Sequence, residues 1–102
     1  MKAERITNLL SMAQRAGKCM SGSFAVQKAV AAGEAKLMLI AADTAEATKK
    51  EYHKLAANKE IKVFEVLNQD TLGHTLGKEF RTVAVLTDKG FSDAMEKRIM
   101  EK

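Results

Sequence analysis

Proline and tryptophan are missing from this chain, cysteine and tyrosine occur once each, and only 5% of the residues are aromatic. With Cys19 alone there is no disulfide framework and no zinc site built on paired cysteines. So few aromatics leave no sheet platform on which bases could stack, so any nucleic-acid binding would fall to helix termini and loops. No apolar run approaches membrane-spanning length. The first residues alternate charge with apolar side chains, as an amphipathic helix does and a signal peptide does not, so a cytoplasmic protein off the membrane is expected.

What is present describes an ordinary folded domain. The 102 residues are 46% hydrophobic and 29% charged, enough for one modest core and too apolar for disorder. A single domain over residues 1–102 is expected. Seventeen Lys and Arg against thirteen Asp and Glu give a formal charge of +4 and a pI near 9.3. In a domain this small the surplus leans toward an acidic partner, nucleic acid first.

The chain is organised around residues 20–30 and the apolar run that follows. Gly22 and Ser23 sit where a loop turns into a helix, with Ser21 or Ser23 available to cap its first free donors. Val26, Ala29, Val30 and Gly33 recur at helical spacing, Gly33 ends the helix, and residues 37–41 read as a strand buried on both faces. A glycine-opened helix start with Lys28 one turn in has the geometry of an anion site. On residues alone, a plain turn followed by a solvated lysine is the commoner use of such a pattern.

Around it, helix and strand patterns alternate without a proline or a long loop. Ile6, Leu9, Leu10, Ala13 and Ala16 make one stripe of a first helix closed by Gly17. Cys19 and Met20 form a short strand. Asp43 and Glu46 resemble a capping box opening a third helix, with Tyr52 and Leu55 inward and Lys49, Lys50 and Lys54 on a solvated face. Residues 61–66 are a strand by β-branched content. Asn68 or Asp70 caps a short helix in which Gly73 permits close packing, and residues 82–86 are a second strand buried on both faces. Phe91, Ala94, Met95 and Arg98 share a side of the last helix, whose end from about Ile99 to Lys102 is expected to fray. The alternation predicts an α/β fold, a three-layer α/β/α sandwich with a central mixed four-stranded sheet.

Chemistry-bearing motifs fail one by one. Gly17-Lys18 lacks the upstream glycine of a P-loop, since Met12 stands there, and Cys19 follows instead of Ser or Thr. His53 and His74 have no Cys or carboxylate at ligand spacing, so no metal site is expected. Cys19 is more simply a small buried hydrophobe than a nucleophile. No Gly-x-Ser-x-Gly elbow exists. Neither a catalytic residue nor a cofactor is expected, and the protein reads as no enzyme.

Taken together, Ser21-Gly22-Ser23 with Lys28-Ala29-Val30, Gly33-x-Ala35-Lys36-Leu37 running into Ile40-Ala41-Ala42-Asp43, Leu72-Gly73-x-x-x-Gly77-Lys78, and Val83-Ala84-Val85 leading to Asp88-x-Gly90-Phe91 resemble the ribosomal protein L-seven-Ae/L-thirty-e superfamily of kink-turn RNA-binding proteins, in particular its small bacterial YlxQ-type branch. The resemblance covers nearly the whole chain. It implies an α/β/α sandwich that binds a sharply bent RNA internal loop on one edge, with the glycine-opened helix entering the major groove at tandem G·A pairs. The loop after the second strand and the loop before the last helix would flank it. The residues so implied are Gly22, Ser23, Phe24, Ala25 and Lys28, then Ala42 and Asp43, then Thr87, Asp88 and Lys89, with Lys36 near the rim. Many members carry Asn-Glu where this chain has Phe24 and Ala25, although members of the L-thirty-e kind also lack that pair. Backbone donors, Lys28 and shape then carry more of the recognition. Phe24 either packs on an exposed base or covers the core. The function implied is non-catalytic binding of structured ribosomal or regulatory RNA, not DNA, by a monomer. The alternative is a protein-interaction adaptor on the same fold without RNA affinity.

Overall fold

The computed structural model describes residues 2–101, and its elements alternate along the chain as α1 (Lys2–Arg15), β1 (Cys19–Ser21), α2 (Ser23–Ala31), β2 (Leu37–Ile40), α3 (Glu46–Ala57), β3 (Lys62–Glu65), α4 (Gln69–Thr75), β4 (Val83–Leu86) and α5 (Lys89–Met100). The four strands form one sheet in the order β1-β4-β2-β3. β4 runs antiparallel to both β1 and β2, whereas β2 and β3 are parallel. Helices cover both faces, which is the expected α/β/α sandwich on a mixed sheet.

The central strands explain the layering. Every side chain of β2 and β4 is buried, and successive side chains point to opposite faces. Leu37, Leu39, Ala84 and Leu86 therefore pack with Ile6, Leu9 and Leu10 of α1, Leu72 of α4 and Met95 of α5. Met38, Ile40, Val83 and Val85 pack instead with Val26 and Val30 of α2 and with Tyr52 and Ala56 of α3. Each such aliphatic side chain contributes roughly 1.5–3 kcal/mol on full burial, and the two sets fix which helix lies on which face.

Helix ends follow local chemistry where the partner is local. Lys18 N–H reaches Ala13 O at 2.9 Å and Glu34 N–H reaches Ala29 O at 3.0 Å, with Gly17 and Gly33 left-handed at φ 72° and 75°. These are the Schellman closures that glycine permits. Asn68 caps α4 by accepting from Thr71 N–H at 2.8 Å, and Asp88 caps α5 by accepting from Phe91 N–H at 2.9 Å.

Four expectations change in the folded chain. Ala16 is exposed rather than part of the α1 stripe, because the helix ends at Arg15 and Ala16 already lies in the turn. Asp43 does not cap α3, whose N-cap is Ala45 with no side-chain bond. Instead, Asp43 Oδ1 accepts from Gln69 N–H at 2.9 Å and so ties the β2–α3 loop to the start of α4. Lys49 is not on a solvated face, since its side chain is 12% exposed and reaches Glu65 at 3.2 Å. Ile99 is buried and α5 persists to Met100, held by the 2.8 Å ion pair of Arg5 with Glu101 and by Arg98 Nη1 donating to Arg5 O at 2.7 Å. Lys102 lies outside the described residues. Phe91, Ala94 and Met95 of α5 pack together on the core, joined by buried Ile99, while Arg98 turns to Arg5 O.

Candidate functional site

The start of α2 is open. Gly22 is its N-cap at φ 89°, ψ 154°, and no side chain caps the first turn. The two serines expected to do so are engaged elsewhere. Ser23 Oγ accepts from Gln27 Nε2 at 3.0 Å, and Ser21 Oγ accepts from Arg81 Nε at 3.2 Å. Hydrogen bonding resumes with Val26 N–H to Gly22 O at 3.0 Å, so the N–H groups of the first turn face outward at the positive end of the helix dipole. Gly22 is required by its backbone, because that φ and ψ belong to a region reserved for glycine, and not by space, since a Cβ there would find Arg81 Nε at an ordinary 3.6 Å. Lys28 is exposed one turn on, and among the described residues no carboxylate pairs with it. Phe24 is 81% exposed, which decides against its covering the core.

Facing this helix start is the loop before β4. Gly73 has no Cβ to collide with the Phe80 backbone, whose N would lie 2.6 Å away, so the loop seats directly on α4. Arg81 N–H donates to Gln69 O at 3.1 Å and Ala41 N–H donates to Thr82 O at 2.9 Å. The Arg81 guanidinium also donates from Nη1 to Phe80 O at 3.0 Å. Between this loop, the start of α2 and the face of α3 lies a cleft of about 580 Å³. Gly22, Ser23 and Gln27 form one wall, Thr48, Glu51, Tyr52 and Leu55 another, and Phe80, Arg81 and Thr82 the third. Phe80 is 53% exposed at its mouth. Open backbone donors, a guanidinium and the exposed Phe80 ring in one concavity suit a polyanion that also presents flat apolar rings.

The structure brings together only part of the sequence-derived set. Gly22, Ser23, Phe24, Ala25 and Lys28 share the start of α2, and Ala42 and Asp43 lie at the same end of the sheet, where Ala41 and Thr82 are bonded. Lys36, Thr87, Asp88 and Lys89 lie at the opposite end. Lys36 N–H donates to Leu86 O at 2.7 Å and Thr87 N–H donates to Lys18 O at 2.9 Å. The cause is strand direction: β4 is antiparallel to β1 and β2, with Ser21 opposite Ala84 and Cys19 opposite Leu86. The chain entering β4 therefore flanks Gly22, and the chain leaving β4 does not, which corrects the expectation that the loop before the last helix flanks the site. Lys89 is moreover paired with Asp93 at 2.8 Å, a bond that holds its ammonium pKa above the usual lysine value.

Phe80, Arg81, Thr82, Gln27, Thr48 and Glu51 were absent from the sequence-derived set. Their one signal was an arginine beside an aromatic immediately ahead of a buried strand. His53 does find a carboxylate that spacing along the chain concealed: its Nε2 lies 2.7 Å from Glu65 Oε2. His53 first and Lys49 second hold the Glu65 carboxyl below its usual range. Cys19 is buried against α1, and burial pushes its thiol up to about 12. Among the described residues no three His, Cys, Asp or Glu side chains gather in a group that could hold a metal ion, and no helix is long and apolar enough to cross a membrane.

Residues 4–96 match the model of the Ribosomal protein L7Ae/L30e/S12e/Gadd45 family. The chain belongs to this family. The match contains all four strands and every wall of the cleft. Two relatives carry the name RNA-binding protein YlxQ. That of Bacillus subtilis (strain 168) is 33% identical over 87 residues, 85% of this chain and 87% of the relative. That of Enterococcus faecium is 29% identical over 89 residues, 87% of this chain and 85% of the relative. Among solved structures, a protein of unknown function from Bacillus halodurans superimposes with a TM-score of 0.89 at 33% identity, over 97% of this chain and 99% of the other. The Giardia lamblia 15.5kD RNA binding protein superimposes with a TM-score of 0.76 at 19% identity, over 96% of this chain and 84% of the other, a likeness of fold alone. The family fold is thus common to chains that share less than a fifth of their residues, and the Gly22–Arg81 cleft must be judged on its own side chains.

Proposed function

We propose that this protein is a non-catalytic RNA-binding protein that takes a kink-turn or similarly bent RNA loop, ribosomal or regulatory, into the end of the sheet where α2 begins. The observation that carries the reading is the convergence of the uncapped α2 start and the Phe80-Arg81 loop on one cleft, with the exposed Lys28 farther along α2. Relatives named as RNA-binding proteins support it. Phosphates suit the free N–H groups and Lys28, while an unpaired base suits the space between Tyr52, Leu55 and Phe80. Gly22, Ser23, Phe24, Ala25 and Lys28 form the centre of the proposed interface, with Ala42 and Asp43 beside it and Phe80, Arg81 and Thr82 across from it. Phe24 and Ala25 contribute backbone donors and an exposed ring rather than polar side chains, so shape and phosphate position dominate over reading of base edges at the helix.

The protein works as a cytoplasmic monomer in this reading. A gel shift with a kink-turn RNA and a scrambled RNA of the same composition tests it. A retarded band with the kink-turn RNA alone is expected. Equal retardation of both would mean RNA binding without preference for the bend, and absent retardation of both would favour the adaptor alternative, in which Phe24 and Phe80 meet another protein.

A further inference from the structure

At the end of the sheet opposite Gly22, α3 closes as α1 and α2 do. Ile61 N–H reaches Ala56 O at 3.0 Å and Glu60 N–H reaches Ala57 O at 3.1 Å. The left-handed position, glycine at 17 and 33, is here Glu60 at φ 56°. That conformation disfavours a side chain and suits glycine, so local stability does not account for a glutamate. Its carboxylate lines a groove of about 270 Å³.

Three segments begin around this groove. β2 and β3 are parallel, so Lys36 and Glu60 precede neighbouring strands at one end of the sheet. α5 starts at that end too, because Leu86 at the close of β4 pairs with Leu37. Leu37 and Ser92 are the groove's buried residues and form its floor. Along its α5 side Lys62 pairs with Glu96 and Lys89 with Asp93, each at 2.8 Å. Lys36 and Glu60 are left exposed, with no ion-pair partner among the described residues. The enclosed Ser92 Oγ has no hydrogen-bond partner, a rare state for a buried hydroxyl. Three lysines and three carboxylates line the groove, so its formal charges cancel and neither a simple anion nor a simple cation is favoured. One free ammonium and one free carboxylate instead match a ligand that carries both charges close together. The volume equals that of about nine waters at roughly 30 Å³ each, the size of a small amino acid.

We propose that this groove binds a free zwitterionic α-amino acid, with the ligand carboxylate on Lys36 and the Ser92 hydroxyl and the ligand ammonium on Glu60. The two features that local stability does not explain, a left-handed glutamate and an idle buried hydroxyl, then serve one ligand. The groove lies opposite the proposed RNA interface, so binding there does not depend on the RNA reading.

Amide chemical shifts of the ¹⁵N-labelled full chain, followed while mixtures of free L-amino acids and then the single members are added, test this. Saturable changes are expected at residues 36–37, 60–62 and 89–96 for at least one amino acid, with affinity in roughly the millimolar range for so small a ligand. Acetate, methylamine and the N-acetyl amide of that amino acid, each lacking one or both charges, are expected to leave those residues unmoved. Lys36→Ala should weaken binding on the order of tenfold. Ser92→Ala should weaken it without lowering stability, since the hydroxyl has no partner to lose. Glu60→Gly is expected to abolish binding while raising the melting temperature, because glycine relieves the left-handed backbone, so its loss of binding cannot be a loss of fold. No saturable change with any amino acid, equal changes with acetate or the N-acetyl amide, or undiminished binding by Glu60→Gly would overturn the assignment.

Discussion

Arg81 Nε donates to Ser21 Oγ at 3.2 Å across sixty positions of sequence, fastening the loop before β4 to the end of β1. The bond does two things for the cleft. It withdraws Ser21 from capping α2, and it holds a guanidinium beside the helix start that this withdrawal leaves open.

Removing that guanidinium should weaken RNA binding more than it weakens the fold. Arg81→Ala deletes a charged contact worth roughly 1.5–3 kcal/mol, on the order of tenfold or more in affinity. The half-buried side chain leaves only an accessible serine hydroxyl behind, so the melting temperature should move by a few degrees at most. Arg81→Lys keeps the charge and loses the fork, so it should recover little of the affinity. Anisotropy titrations paired with thermal melts check both.

Gly73→Ala should act the other way, on the fold first. Its Cβ would meet the Phe80 backbone, with N at 2.6 Å, and backbone does not yield as the end of a side chain does. Overpacking of this kind costs typically 1–3 kcal/mol. Urea unfolding should show a lower midpoint with an unchanged m-value, and RNA affinity should fall as the Phe80-Arg81 loop is displaced.

The lysines should separate by their place on the sheet. Each true phosphate contact contributes about −0.7 to −0.9 to the slope of log affinity against log salt. Lys28→Ala should flatten the slope by about one such increment and cost on the order of 1–3 kcal/mol. Lys50→Ala, Lys36→Ala and Lys89→Ala should alter both only slightly, through long-range attraction that salt screens. Equal losses for all four would mean diffuse attraction with no defined site.

Sequence alone discloses what neighbours in the chain decide. The Ile6–Ala13 stripe, the two apolar strands and the Gly17 and Gly33 closures were legible because each depends on neighbours within a few residues. Asp43 was not, because its partner Gln69 comes from another element. Lys49 read as solvated because Glu65 lies on a different strand. The end of the sheet to which each loop belongs was not legible either. Strand periodicity reports burial and is silent about direction, so nothing in residues 82–86 revealed that their entering end, with Phe80 and Arg81, meets Gly22 while Thr87 and Asp88 lie at the far end.

Cys19 gives the chain a pH dependence of definite sign. Burial pushes its thiol from the ordinary 9.0 up to about 12. Between those values the unfolded chain loses the proton that the native protein keeps, so the unfolded state binds fewer protons and stability falls as pH rises. Urea midpoints should therefore decline more steeply from pH 9 upward in wild-type protein than in Cys19→Ala. Thiol reagents at pH 8 should react far faster with unfolded than with native protein. Parallel curves for the two proteins would place the thiol in contact with solvent.

The central claim is that RNA binds where α2 begins and the chain enters β4. Amide chemical shifts of the ¹⁵N-labelled protein, followed while a kink-turn RNA is added, test it directly. The largest changes are expected at residues 22–25, at Lys28 and at residues 80–82, with Lys36 and residues 87–89 nearly unmoved. Changes concentrated at Lys36 and residues 87–89, or none anywhere at saturating RNA, would contradict it.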